Sequence, residues 1–175
     1  LEPDGEPPRA RCGRCTRCLD ACPTGALTAP HRLDARLCIS YHTIENRGDI
    51  PPLIAERMGS WVFGCDECQT PCPWVARFSR PAREPFLSFD SDRFAPRLDE
   101  VLRLDEEGFR DRYGSTPVAR IGRAGFVRNA AIAAGNSGEP ALLDPLRRLQ
   151  AEPEPPSVRQ AIGWAMHRLR DGLPG

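Results

Sequence analysis

The stretch CGRCTRCLDACP, residues 12–23, places four of the chain's eight cysteines at the spacing C-x2-C-x2-C-x3-C-P. At this spacing three thiolates wrap one face of a [4Fe–4S] cluster, and the fourth points away toward a second cluster. A wider copy follows, made of Cys38 and of CDECQTPCP at 65–73. The sequence therefore predicts that two iron–sulfur clusters organise the N-terminal part of the fold.

The fourth cysteine of each loop is expected to ligate the other loop's cluster, which divides the ligands evenly. The predicted ligands of cluster 1 are Cys12, Cys15, Cys18 and Cys72. Those of cluster 2 are Cys22, Cys38, Cys65 and Cys68. Since each cluster then joins segments that are distant in sequence, we expect this part of the chain to fold only with iron.

Structural zinc and disulfide bonds are the alternatives. Zinc favours ligands in sets of two and two, often with His, and a disulfide framework belongs to a secretory context. The first residues, LEPDGEPPRAR, contain no signal segment, so the predicted location is cytoplasmic. They instead indicate a linker, at 1–11, from a preceding domain that this sequence does not include.

The composition suits a globular protein without membrane spans. The 175 residues are 40% hydrophobic, and no apolar run approaches the roughly 18 residues that cross a bilayer. The formal net charge is zero, and arginine supplies all the positive charge. Binding to a polyanion would therefore need a local basic patch.

A 26-residue insertion separates Cys38 from Cys65. The stretch from Asp34 into the insertion predicts a helix capped by Asp34, with one face made of Leu37, Tyr41 and Ile44. A second short helix should begin at Pro51 and Pro52. The insertion is expected to lie beside cluster 2.

The C-terminal half is predicted to be helical. LDEVLRLDEEGFRDRYG reads as one amphipathic helix. FVRNAAIAAGN at 126–136, a helix closed by Gly135 and Asn136, aligns with SVRQAIGWAMH at 157–167 at an offset of 31 residues, which is typical of stacked HEAT-like repeats. The alternative is a plain helical cap.

The predicted fold class is therefore α+β, mostly α. After the linker come a bacterial-type two-[4Fe–4S] ferredoxin module at 12–78, a connector at 79–113 and HEAT-like repeats at 114–175. Between positions 109 and 134 a single acid, Asp111, faces five arginines: Arg110, Arg112, Arg120, Arg123 and Arg128. Such a patch suits phosphates, although a solvated helix face would look the same.

Four segments together resemble the C-terminal part of the epoxyqueuosine reductases. They are CGRCTRCLDACPTGAL, LDARLCISYHTIENRG, WVFGCDECQTPCPW and YGSTPVARIGRAGFVRNAAIAAGN. The resemblance implies that the two clusters pass electrons from an external low-potential donor to cobalamin, which is bound mainly by a preceding domain. The reduced corrinoid then converts epoxyqueuosine in tRNA to queuosine.

The resemblance also implies roles for particular residues. Ser40, Cys65 and Asp66 would contact cobalamin, and the tRNA-binding candidates are Arg47, Arg120, Arg123 and Arg128. The family's catalytic acid has no counterpart in this chain, so we expect the chain alone to be inactive. We expect a monomer.

Two other functions remain open from the sequence. One is a stand-alone two-[4Fe–4S] electron carrier with a helical docking domain. The other is the ferredoxin part of a different cobalamin-dependent reductase, such as a reductive dehalogenase. Binding of tRNA would separate both from the first hypothesis.

Overall fold

The computed structural model describes Gly5, residues 12–80 and residues 95–171. Most of the predicted linker at 1–11 and residues 81–94 of the predicted connector lie outside the described residues. The helices of the described parts are α1 (Arg17–Ala21), α2 (Ile39–Ile44), α3 (Pro52–Arg57), α4 (Pro73–Phe78), α5 (Leu98–Val101), α6 (Glu106–Tyr113), α7 (Gly122–Ser137), α8 (Leu143–Gln150) and α9 (Pro156–Asp171).

A small antiparallel sheet pairs β1 (Leu27–Ala29) with β2 (Arg32–Leu33), and Leu27 lies opposite Leu33. Helices make up most of the remaining regular structure in the described parts, so the mostly helical class with a small sheet is confirmed. No helix there has both the length and the apolar character that crossing a bilayer requires.

The insertion does not begin with one continuous helix, so that prediction is wrong. Asp34 does cap a helix, since its side chain accepts a hydrogen bond from the Arg36 amide, but this is a short 3-10 helix over Ala35–Leu37. Cys38 is extended, and α2 starts after it. Because of this break, α2 buries Ile39, His42 and Thr43 and leaves Tyr41 exposed.

The predicted amphipathic helix of the connector is two helices, α5 and α6. Asp105 ends the connection between them, because its carboxylate accepts a 2.7 Å hydrogen bond from the Gly108 amide and so caps α6. Val101, Leu102 and Phe109 are buried.

Two of the C-terminal helices begin at a proline, a residue suited to the first helical turn. Thr116 caps a 3-10 helix that begins at Pro117, and α9 begins at Pro156. Helix α7 was predicted to close at Gly135 and Asn136, but it continues to Ser137. It ends there because Gly138 adopts the left-handed conformation with φ 67°.

The two segments of the predicted repeat, which lie in α7 and α9, pack closely. A Cβ atom on Gly135 would lie 2.8 Å from the Cα of Ala165. Nearer the start of both helices, Arg128 lines a crevice with Ser157 and Gln160. Because the earlier residue of α7 lies beside the earlier residues of α9, the two helices run parallel. Equivalent helices of stacked repeats pack this way. The HEAT-like assignment itself stays a prediction.

One hydrophobic core joins the insertion to the helical half. It combines Ile39, Ile54 and Met58 with residues of α7 and α9 such as Val127 and Ile162. The 12–78 segment is therefore supported from one side by the helices that follow it.

Candidate iron–sulfur sites

The first cysteine loop folds tightly around its thiols. The Cys15 amide donates to the Cys12 carbonyl at 3.2 Å, and α1 follows directly. At the end of α1, Cys22 turns extended, and Pro23 stops the helix from continuing. The chain therefore changes direction at Cys22, where the spacing predicts that the fourth thiol leaves the first cluster.

The four cysteines predicted for cluster 1 line a single cavity of about 370 Å³. Cys12, Cys15 and Cys18 come from the first loop, and Cys72 comes from the end of the second. Cys72 is extended, like Cys22, and precedes the proline that starts α4. The structure thus brings a crossing cysteine to the opposite loop on this side of the module.

The four cysteines predicted for cluster 2 form a second group. Burial raises the pKa of the Cys68 thiol, and Cys22, Cys38 and Cys18 raise it further by charge repulsion. Burial also raises the pKa of Cys65, which interacts with Cys38 and Cys68. Cys22 and Cys18 therefore both lie near Cys68, which brings the two cysteine loops side by side.

The pKa of the Cys22 thiol is shifted in the opposite direction to those of Cys65 and Cys68. Burial would raise its pKa, but hydrogen bonds from the Leu27 amide and from Thr24 outweigh burial and lower it. The thiolate is the form that binds metal. The lowered pKa of Cys22 favours this form.

The first group fits a cluster better than a single ion. Within residues 12–80 and 95–171, no set of three or more Cys, His, Asp or Glu side chains is arranged to hold one metal ion. At the first site the thiols instead surround a volume, as ligands of a multi-atom cluster do. All eight cysteines are free thiols.

A polar network links the cluster 2 loop to the helical half. Thr43 Oγ1 accepts a 3.0 Å hydrogen bond from the Gly64 amide, directly before Cys65. Asn129 of α7 donates to the carbonyls of Thr43 (3.0 Å) and Val62 (2.9 Å). These bonds fix the backbone that presents Cys65.

The residues predicted to contact cobalamin lie on neighbouring segments. Ser40 is half-buried on α2, where its carbonyl accepts from Thr43 Oγ1 at 3.3 Å. Cys65 is half-buried against the core, and Asp66 is exposed. Through Thr43 and Gly64 the structure keeps Ser40 close to the loop that carries the other two.

Arg128 is not available to a nucleic acid, which corrects its prediction as a tRNA-binding residue. The residue is 1% exposed, and its guanidinium donates to the carbonyls of His42, Asn46 and Gly48. Burial lowers the pKa of Arg128 to about 10, so the group stays charged at neutral pH. The charged guanidinium therefore stabilises the fold, by binding the three carbonyls of the insertion.

Arg123 is corrected on the same grounds. Its side chain is 13% exposed and forms a 2.6 Å ion pair with Glu154, which is itself buried. Its Nε also donates to the Leu104 carbonyl at 2.7 Å. The Arg123 guanidinium and the Glu154 carboxylate therefore stay paired inside the helical half, because separating them would leave a buried charge without a partner.

Arg47 and Arg120 remain on the surface together. The Arg47 guanidinium donates to the Arg120 carbonyl. Arg120 pairs with Glu45 at 2.7 Å while its side chain stays 64% exposed. The insertion and the helical half thus contribute one arginine each to a common patch.

Sequence reasoning missed the surroundings of the cluster 1 cavity. Besides the thiols, Arg17, Trp74, Arg77 and Phe78 line it. The arginine inside CGRCTRC was a usable signal, whereas Asn129 had none, because its role depends on contacts 86 residues away.

Comparison with known proteins agrees with this geometry. Residues 11–75 match the family model described as a 4Fe-4S double cluster binding domain. Over 166 residues the chain is 41% identical to the epoxyqueuosine reductase of Xanthomonas campestris pv. campestris, covering 94% of this chain and 46% of that protein. The Escherichia coli epoxyqueuosine reductase is 38% identical over 94% of this chain and 43% of its own length.

Solved structures give the same result. The epoxyqueuosine reductase from Bacillus subtilis superposes with a TM-score of 0.86 at 32% identity, over 97% of this chain and 45% of that one. An epoxyqueuosine reductase crystallised with an epoxyqueuosine-modified tRNA-Tyr stem loop superposes with a TM-score of 0.72 at 27% identity, over 97% of this chain and 53% of that one.

The fold and the two thiol groups define a double-cluster iron–sulfur protein with a helical C-terminal half. By sequence and by structure, the chain belongs to the epoxyqueuosine reductase family. It spans slightly less than half the length of the curated relatives it matches.

Proposed function

We propose that this chain is the electron-relay and tRNA-binding part of an epoxyqueuosine reductase that uses cobalamin to reduce epoxyqueuosine in tRNA to queuosine. The observation that carries the proposal is the cavity that Cys72 lines together with Cys12, Cys15 and Cys18, as the ligands of one cluster would. The family relationship supports it over the free carrier and the dehalogenase.

The thiols of the chain would hold two [4Fe–4S] clusters, with the ligand sets that the spacing predicts. When bound, such clusters transfer single electrons. Cluster 1 would lie at the exposed cavity and receive electrons from an external low-potential donor. Cluster 2 would lie against the insertion and deliver them onward, because Cys65 packs against the core on the side of Ser40.

Cobalamin would meet the chain at Ser40, Cys65 and Asp66. The corrinoid supplies the reducing centre that removes the epoxide oxygen. The protein would hold the corrinoid in place beside cluster 2. Asp66 is exposed, and its carboxylate is oriented by a 2.6 Å hydrogen bond from Gln69. Thr43 keeps Ser40 beside the same loop.

The tRNA would contact the patch formed by Arg47 and Arg120. The related reductase crystallised with a tRNA stem loop supports this partner. Arginine forks suit phosphate oxygens, and the Glu45 carboxylate orients one of the two guanidinium groups. We further propose a cytoplasmic monomer.

Anaerobic reconstitution tests the cluster proposal. We expect about eight irons and as much sulfide per chain. One zinc ion per four cysteines, with no sulfide, would overturn it.

Binding of a tRNA anticodon stem loop to the reconstituted chain tests the RNA proposal. We expect affinity to fall as salt rises, and the double variant Arg47→Glu, Arg120→Glu to weaken binding about tenfold or more. Arg147→Glu is the control, since Arg147 is an exposed arginine of α8 that pairs with the exposed Asp144 one turn away. Equal affinity for the double variant and the parent would contradict the assignment.

A further inference from the structure

An exposed surface surrounds the cluster 1 cavity. We call it the aromatic–basic rim and define it by Arg17, Trp74, Arg77 and Phe78, all of which line the cavity. The two rings stack with centroids 5.1 Å apart, and the Arg77 guanidinium lies 5.4 Å from the Phe78 centroid. The rim is therefore preorganised without being buried.

The rim does not serve the core of the described structure. Trp74 is 42% exposed and Phe78 is 55% exposed, and neither belongs to the hydrophobic core cluster. Within residues 12–80 and 95–171, neither Arg17 nor Arg77 forms an ion pair. Exposed aromatic and arginine side chains are the types most enriched at the centres of protein interfaces.

The charge around the two thiol groups is asymmetric. Arg14 and Arg17 lie between the first three cysteines, whereas Asp66 and Glu67 lie between Cys65 and Cys68. The first group opens to solvent, since Cys12 and Cys15 are exposed. The positive and accessible site is thus at cluster 1, and the acidic loop is at cluster 2.

We propose that the aromatic–basic rim is the docking surface of an acidic one-electron carrier protein that reduces cluster 1. The inference rests on the proposed function, which makes cluster 1 the electron acceptor. One electron leaves the reduced carrier and one enters the cluster, and no bond forms or breaks. An acidic carrier fits because its charge complements the guanidinium groups of Arg17 and Arg77 and steers its approach. The stacked rings supply the apolar centre of the interface.

The test uses the reconstituted chain and a plant-type [2Fe–2S] ferredoxin as the acidic probe. Two quantities are measured: the Kd between the oxidised proteins, and the rate at which the reduced ferredoxin bleaches the cluster absorbance. As the salt concentration increases, we expect the Kd to rise and the rate of bleaching to fall. Arg77→Glu and Trp74→Ala should each raise the Kd about tenfold, and Arg147→Glu should leave it unchanged.

Arg77 is the preferred variant because it lies outside the cysteine loops. Iron content and reduction by dithionite are measured in every variant. If both equal the values of the parent chain, the clusters are intact, and the ferredoxin result then tests the docking surface alone. Ferredoxin binding that is insensitive to salt and to both variants would overturn the docking surface. So would a homodimer that Trp74→Ala dissociates, since a second copy would then occupy the rim.

Discussion

The guanidinium of Arg128 donates a 2.7 Å hydrogen bond to the backbone carbonyl of His42, across 86 positions of sequence. The same group donates to the carbonyls of Asn46 at 2.8 Å and Gly48 at 2.5 Å. One buried charge thereby holds the turn that carries Arg47 against α7. The helical half acts as a brace for the insertion and, through it, for the cluster 2 loop.

Arg128→Met is expected to lower the free energy of unfolding by about 3 kcal/mol, because it leaves three carbonyls without their charged donor. Arg128→Lys should recover little, since one ammonium cannot reproduce the guanidinium fork. The measurement is denaturant unfolding of the reconstituted chain, followed by helical circular dichroism. Arg147→Met, on the exposed surface, should change stability by about 0.5 kcal/mol or less. Equal losses in both variants would refute the bracing role.

Asn129→Leu should make cluster 2 labile while sparing cluster 1. The amide donates to two buried carbonyls beside the Gly64 turn, so its loss frees the backbone that presents Cys65. We expect iron release to a chelator to become biphasic, with half of the iron lost early. Asn136→Leu is the control, because Asn136 donates to Ala55 on α3, away from that turn. Uniform iron loss in Asn129→Leu would count against the coupling.

Two glycine substitutions should have opposite signs. Gly135→Ala places a Cβ 2.8 Å from the Cα of Ala165 and 2.9 Å from the Trp164 ring, so it should destabilise the chain by about 1–3 kcal/mol. Gly163→Ala on α9 meets nothing within 4 Å and should stabilise it by up to about 1 kcal/mol. Thermal unfolding of the two variants side by side gives the comparison. A stabilising Gly135→Ala would show that α7 and α9 are not tightly packed.

Features set by local spacing could be predicted from the sequence. The cysteine loops, the capping by Asp34 and the proline start of α3 depend on residues a few positions apart. The two divided helices also had local signals. Asp105 could have been recognised as a cap, and Cys38 has to turn extended between the 3-10 helix and α2.

The roles of the arginines could not be predicted from the sequence, because they depend on tertiary burial. Arg120, Arg123 and Arg128 belong to one basic run, yet the first is exposed, the second is ion-paired inside the fold and the third is buried beneath the insertion. Their environments are set by Glu45, Glu154 and the 42–48 carbonyls. Those partners lie 31 to 86 positions away.

The central claim is that each cysteine loop lends its last thiolate to the other loop's cluster, and single Cys→Ala variants test it directly. The measurement is the electron paramagnetic resonance spectrum of the cluster that survives after reconstitution and reduction. We predict that Cys22→Ala gives the spectrum of Cys65→Ala, and that Cys72→Ala gives that of Cys12→Ala. A Cys22→Ala spectrum matching Cys12→Ala would contradict the account.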